Sequence, residues 1–196
     1  ARELVVYEIG TGTWCGYCPG AAMGADDLVA NGHDVAIIEY HSGDNYENTV
    51  STNRLTYYGV TAFPTTYADG TLSIEGGSAT QSLYPTYQQF YNERISIPSL
   101  YTINLSMIQT GAYDYKAYIE VIENSSYLSG PFTLQNALTE SHIPEAWQNQ
   151  SELNFVCRDM YPDASGTTVD FSTQTTYIDS VSFTLDQSYV KDNCEY

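Results

Sequence analysis

The sequence predicts an α/β domain over residues 1–97 followed by an all-β sandwich over residues 98–196. Three observations predict it. A Cys-x-x-Cys pair, Cys15-Gly16-Tyr17-Cys18, follows an apolar strand and stands at the head of a helix. Strand-length and helix-length patterns then alternate as β-α-β-α-β-β-α up to residue 96. Beyond Ile97-Pro98-Ser99, the best linker in the chain, apolar residues recur with a period of two.

The first strand is Leu4–Ile9, and a Gly/Thr turn, Gly10–Thr13, leads from it into the cysteines. The helix runs from about Cys15 to about Val29. Its first turn offers unpaired N–H groups and the positive end of the helix dipole, which favour a thiolate. The pKa of Cys15 is therefore expected to fall below the free value of roughly 8.5. An apolar run over residues 35–40, bounded by His33-Asp34 and Ser42-Gly43, is the second strand. Residues 47–58 form a helix that ends at Gly59. Thr65–Ala68 and Thr71–Glu75 are strands joined at Asp69-Gly70, a dipeptide that favours a tight hairpin. Gly76-Gly77 breaks the chain, and residues 80–95 are the last helix of this half.

In the second half, Tyr101–Met107 and Ala117–Ile122 alternate, and further strands are expected at 131–141, 152–160 and 177–186. Thr110-Gly111, Asn124-Ser125-Ser126 and Ala164-Ser165-Gly166 separate them as turns. The Asn124 turn also fits a glycosylation sequon but reads as a turn. A short helical turn is expected within Glu140–Asn149, near Pro144. Several short strands with polar turns imply an antiparallel, immunoglobulin-like sandwich.

The chemistry resides in Cys15 and Cys18. Two cysteines three apart are a dithiol/disulfide switch in which Cys15 attacks and Cys18 resolves. Half of a zinc site would need two further ligands, yet Cys157 and Cys194 are far along the chain and His33, His41 and His142 are scattered. A structural disulfide that never turns over is the main alternative. Cys157 and Cys194 would form a second disulfide if their strands were adjacent. No catalytic constellation stands out in the second half, and His142 reads as a surface histidine despite its neighbours Glu140 and Ser141.

The segment Trp14-Cys15-Gly16-Tyr17-Cys18-Pro19, together with Gly59-Val60-Thr61-Ala62-Phe63-Pro64-Thr65, resembles the thioredoxin superfamily. The resemblance implies that Pro64 is a cis-proline facing the redox pair, with Phe63 before it, and that both position an incoming backbone. It implies that Trp14 and Tyr17 shape the surface around Cys15. The superfamily's buried proton-transfer acid matches Glu8 only with a one-residue insertion in the Gly10–Thr13 turn. Gly16-Tyr17 replaces the Gly-Pro of thioredoxin, which is consistent with a less reducing couple.

The chain is also similar to the Omp28-related outer-membrane proteins of Bacteroidetes and their relatives, which join a thioredoxin-like domain to a β-rich domain. The matching residues are Glu8, Thr11, Gly12, Cys15, Cys18 and Pro19, the segment Leu153–Gly166, and the run from Phe183 to Glu195. In those relatives the stretch matching Asn193–Tyr196 runs on into another strand. If Tyr196 ends the chain, the sandwich lacks a closing strand, and its open edge would accept a strand from another copy; a trimmed chain is the plainer reading.

The sequence holds 24 acidic and 6 basic residues in 196, a net charge of −18. The acidity is shared, with 11 acidic and 3 basic residues in 1–97 and 13 and 3 in 98–196. Such a surface repels nucleic acid and anionic lipid. Carboxylates are plentiful, but nothing has the spacing of a calcium loop, and no metal or other cofactor is called for. No run reaches the ~18 apolar residues of a membrane helix. Only Ala1, Arg2 and Glu3 precede the first strand, as in a mature chain whose signal peptide has been removed. The 19 tyrosines suit half-buried strand faces or binding surfaces. The expectation is therefore a secreted, periplasmic or outer-membrane-associated thiol–disulfide oxidoreductase whose partners are protein thiols and disulfides. The alternative is a non-enzymatic surface protein, structural, adhesive or self-assembling, that reuses the same scaffold. A carbohydrate-binding surface module is a third, minor reading.

Overall fold

A computed structural model describes residues 2–124 and 131–196 of the chain. Ser125 and Ser126 of the expected Asn124 turn lie outside the described residues. The described residues are mostly β, with 14 strands and three α-helices. They form two units. One comprises residues 1–98, 137–159 and 195–196, and the other residues 99–136 and 160–194.

The first unit is built on a mixed seven-stranded sheet. Its strands are β1 (Val5–Thr11), β2 (Val35–His41), β3 (Thr65–Ala68), β4 (Leu72–Glu75), β8 (Asn136–Glu140), β11 (Val156–Tyr161) and β14 (Cys194–Glu195), in the order β14-β8-β11-β2-β1-β3-β4. β1 and β2 pair in parallel from Val5↔Val35 to Thr11↔His41. β3 returns antiparallel to β1, and the Asp69-Gly70 turn joins it to β4.

The helices are α1 (Pro19–Ala30), α2 (Thr49–Tyr58) and α3 (Tyr84–Ile95). Strand alternation divides β1 between them. Val5, Tyr7 and Ile9 are buried with Ala21, Ala25 and Leu28 of α1 and Tyr87 of α3. Glu8 and Gly10 turn the other way, toward Arg54 and Leu55 of α2. Asn48 caps α2 by accepting from the Ser51 N–H at 2.8 Å, and Pro19 opens α1, where its missing N–H costs nothing.

Glu8 is a carboxylate in the middle of this unit, and the fold neutralises it. Its Oε1 accepts from Arg54 Nη2 at 2.6 Å, Arg54 Nε at 3.2 Å and the Tyr40 hydroxyl at 2.7 Å. Its Oε2 accepts from the Tyr58 hydroxyl. The Arg54 guanidinium lies 4.8 Å from the Tyr57 ring centre and 5.2 Å from that of Tyr58. Burial alone would lower the pKa of Arg54, but the charge and hydrogen bonds of Glu8 outweigh it and hold the guanidinium protonated.

The second unit contains an antiparallel sheet in the order β13-β6-β5, formed by β5 (Tyr101–Gln109), β6 (Asp114–Glu123) and β13 (Thr176–Thr184). It also contains the pair β7 (Phe132–Leu134) and β12 (Thr167–Val169). Ala117, Ile119, Val121, Leu134, Val169, Phe171 and Phe183 are buried, and the Tyr101 ring packs on Phe132 and Phe171.

The continuous sandwich expected over 98–196 is not what forms. Residues 137–159 are grouped with the first unit instead, and β8 and β11 extend its sheet. A period of two identifies a strand but not the sheet it joins. The apolar residues Val156 and Leu153 are buried against the Cys15–Cys18 segment, and this decides their place. The strand expected over 131–141 is divided into β7 and β8, and that over 152–160 between β10 (Gln150–Leu153) and β11. The helical turn expected near Pro144 is instead strand β9 (Ile143–Trp147).

Replacing Arg54 alone would strand Glu8 as an uncompensated buried charge. Arg54→Met is expected to destabilise the protein by about 3–5 kcal/mol, and the double variant Glu8→Leu/Arg54→Met to recover most of that loss. Urea unfolding of the two variants checks this, and equal losses would contradict it.

Candidate functional site

The parallel β1–β2 pair carries the chain to the turn that holds both cysteines. Cys15 and Cys18 are joined in a disulfide, with their Cα atoms 5.4 Å apart. The helix does not include Cys15, contrary to expectation. It starts at Pro19, and Cys18 is its capping residue. Cys15 stands in the preceding turn, donating its N–H to Gly12 O at 3.0 Å, and its carbonyl accepts from the Cys18 N–H at 3.3 Å. The helix N-terminus therefore lies next to Cys18 rather than around Cys15.

Phe63 and Pro64 border the pair. Their peptide bond is cis, and Cys15 Sγ lies 3.5 Å from the Phe63 carbonyl oxygen. The Trp14 indole meets the Phe63 ring edge-on at 5.7 Å between centroids. Behind Pro64, Gly77 leaves no room for a side chain: a Cβ there would stand 2.4 Å from Tyr17 O and 2.7 Å from Pro64 Cγ. Trp14 and Tyr17 are exposed at the rim, at 54% and 65%.

The sulfurs themselves are covered. Cys15 is only 3% exposed and Cys18 fully buried, although attack by Cys15 on a partner needs its sulfur within reach. The cover is the hairpin formed by β9 and β10, whose Trp147 and Leu153, followed by Val156, share one buried cluster with both cysteines, beside Tyr46, Phe63 and Ile143. Polar contacts hold the hairpin in place. Trp147 Nε1 donates to Glu152 O at 3.1 Å, the Tyr46 hydroxyl donates to Glu145 at 2.8 Å, and Gln148 Nε2 donates to Thr13 O at 3.2 Å. The cover comes from the part of the sequence expected to lie in the second domain, so nothing local to the cysteines signals it.

Glu8 was the expected proton-transfer acid, but its carboxylate is committed to Arg54, Tyr40 and Tyr58. A different acid lines the space under the hairpin. Glu39, in the middle strand β2, is 2% exposed, and its carboxyl borders a cavity of about 240 Å³ with Ala22, Asp26, Trp147, Glu152 and Asn154. Burial, and then the charge of Asp26, push Glu39 up to about 8. Asp26 is raised by burial too, although Asn154 Nδ2 donates to it at 3.0 Å.

On the same face of β2, His41 Nε2 lies 3.8 Å from Glu39 Oε2, buried and without a hydrogen-bond partner. Its Nδ1 is 2.7 Å from Asp44 Oδ2. Burial would raise Asp44, but hydrogen bonding and charge from His41, with the N–H groups of Thr13 and Tyr46, hold it below the ordinary carboxylate range. Glu39, His41 and Asp44 thus form a line of titratable groups, the first two buried. The only signal in the sequence was a Glu and a His inside an otherwise apolar strand.

Cys157 and Cys194 are not joined to each other. The Cys157 sulfur is 3.8 Å from Asp159 O and that of Cys194 is 3.5 Å from Val190 O. Burial pushes the Cys157 thiol up to about 12, which makes it inert at neutral pH. His142 is exposed, with Nδ1 3.3 Å from Glu152 Oε1. Among the described residues, no group of three or more His, Cys, Asp or Glu is placed to hold a metal ion, and no helix is long and apolar enough to cross a membrane.

The fold is similar to that of HBP35 of Porphyromonas gingivalis, a solved structure. The TM-score is 0.74 at 16% identity, over 98% of this chain and 67% of that one. At that identity the likeness is one of fold. No protein-family model matches the sequence, and no curated protein matches it.

Two outcomes follow. Folded Glu39 keeps its proton up to about pH 8, whereas the unfolded chain releases it near 4.5, so this residue's contribution to stability falls as pH rises through that window. Glu39→Gln should remove a loss of about 1–3 kcal/mol between pH 5 and pH 8 in urea midpoints, and parallel pH profiles would contradict this. Trp147→Ala should speed reduction of the disulfide by a small phosphine about tenfold or more, and an unchanged rate would mean that the hairpin is not the barrier.

Proposed function

We propose that the chain is a thioredoxin-like thiol–disulfide oxidoreductase of the cell envelope or the extracellular space, related to the Omp28-type proteins. The observation that carries the reading is the Cys15–Cys18 disulfide at the strand-to-helix turn, with the Phe63 carbonyl 3.5 Å from Cys15 Sγ. The order β1-α1-β2-α2-β3-β4-α3 around it supports the same reading. In the reduced form, the Cys15 thiolate attacks one sulfur of a partner disulfide. A mixed disulfide forms, and the partner's first sulfur leaves as a thiolate that takes a proton. The Cys18 thiolate then attacks Cys15 Sγ, which closes Cys15–Cys18 and releases the partner's second thiolate. Two electrons pass from the dithiol to the partner, and the reverse sequence oxidises a partner dithiol. Pro64 and Phe63 position the partner's backbone, and Trp14 and Tyr17 form the rim it meets. The Trp147 hairpin restricts exchange to partners whose sulfur reaches Cys15 at its rim, and Glu39, which borders the cavity under the hairpin, is the acid that exchanges protons in this reading.

A second reading is favoured by the same cover. A disulfide buried under Trp147 also suits a non-enzymatic surface protein in which it only staples the turn. The nine-residue edge strand β5, which carries no charged residue, gives such a protein a place to assemble.

Redox titration against glutathione separates the two. A couple that exchanges reversibly and a mixed disulfide trapped on Cys15 in Cys18→Ser are expected for the oxidoreductase. A couple locked below roughly −300 mV, with no trapped adduct, would leave the stapled surface protein as the reading.

A further inference from the structure

Beside the covered disulfide lies an open groove of about 430 Å³, bordered by Trp14, Gly43, Asp44, Glu145, Trp147 and Gln148. Both indoles are held rigidly. Trp14 Nε1 donates to Ser42 O at 2.7 Å and Trp147 Nε1 to Glu152 O at 3.1 Å. Trp14 also rests on two glycines. A Cβ on Gly12 would stand 2.7 Å from Trp14 Nε1 and one on Gly43 2.9 Å from it, so the ring lies against bare backbone. A tryptophan pinned this closely and still 54% exposed presents a fixed aromatic surface to solvent.

Two carboxylates, Asp44 and Glu145, border the groove together with the neutral polar residues Thr13, Asn45 and Gln148. Asp44 is held ionised by His41 and two backbone N–H groups, and Glu145 already accepts from Tyr46. No residue bordering the groove is basic. The Arg158 guanidinium, over the ring of the Tyr46 that donates to Glu145, pairs with Glu140 at 2.7 Å. A fixed aromatic surface with carboxylates at its edge attracts a cation through the ring and through charge, and it does not favour an anion.

We infer that this groove takes a positively charged side chain, lysine or arginine, of the polypeptide whose thiol or disulfide meets Cys15. The inference rests on the oxidoreductase reading and adds its substrate class, a basic cysteine-containing protein. Trp14 precedes Cys15 and Trp147 shares a buried cluster with it, so a cation seated in the groove that both tryptophans border lies near the exchanging sulfur. The net charge of −18 draws such partners in from a distance, and the groove selects among them.

The test uses the reduced protein and three small disulfides: cystamine (a dication), bis(2-hydroxyethyl) disulfide (neutral) and dithiodipropionate (a dianion). Each is reduced to two thiols as Cys15–Cys18 closes. With rates divided by those of a neutral model thiol, cystamine should be favoured over the neutral disulfide by about tenfold at low salt. Glu145→Gln and Trp14→Ala should each lower that preference about threefold. Glu93→Gln removes the same charge from an exposed position on α3 and should leave the preference near its original value. Equal effects of Glu145→Gln and Glu93→Gln would show only a long-range field and overturn the groove. If even the neutral disulfide fails to oxidise the dithiol, the oxidoreductase reading fails instead. The groove is then judged on the Trp14 indole N–H resonance. Arginine amide should shift it in the wild type but not in Glu145→Gln, and the absence of any shift would overturn the groove as well.

Discussion

The parallel pairing of β1 with β2 is the constraint on which the rest of the first unit depends. It sets Thr11 beside His41, so the turn that holds the cysteines and the loop that holds Asp44 leave the sheet side by side. Through the same register, Glu8 faces α2 while Tyr7 and Ile9 face α1 and α3. β11 then adds in parallel to the free side of β2, with Val156 opposite Glu39, and brings the hairpin before it onto the disulfide. A slip of one residue between β1 and β2 would exchange the two faces and bury a carboxylate among the apolar residues of α1.

The unit treats its buried acids in two ways. Glu8 is held by an arginine and two tyrosine hydroxyls, so both of its oxygens accept hydrogen bonds and its charge is paired. Glu39 has no such partner. It faces a cavity, stays protonated through neutral pH and lies 3.8 Å from an imidazole nitrogen that is itself unsatisfied. The first arrangement holds a fold together. The second costs stability, because a buried carboxyl without a countercharge gives up its hydration when ionised.

Much of the first half was legible because its signals are local. The Asp69-Gly70 hairpin, strand β3 at Thr65–Ala68 and the second strand follow from turn chemistry and alternation within a few residues. The disulfide between Cys15 and Cys18 and the place of Pro64 beside it were legible for the same reason, since each belongs to a short motif. The start of α1 was less so. Cys15 looked like a helical residue, but Pro19 prefers the first helical position and sets the start four residues later.

The sequence by itself determined most elements of the first half, the Cys15–Cys18 pair and the acidic composition, because local propensity, turn residues and residue counts specify these. Only the tertiary structure decided what surrounds the pair. The partner of Glu8 is 46 residues away in Arg54, and the contact that fastens the hairpin links Thr13 to Gln148 across 135 residues. The same strand alternation would have suited Val156 to either sheet. It joined β2 because its apolar side chain is buried there against Cys15 and Cys18, and the covered disulfide follows from that long-range choice.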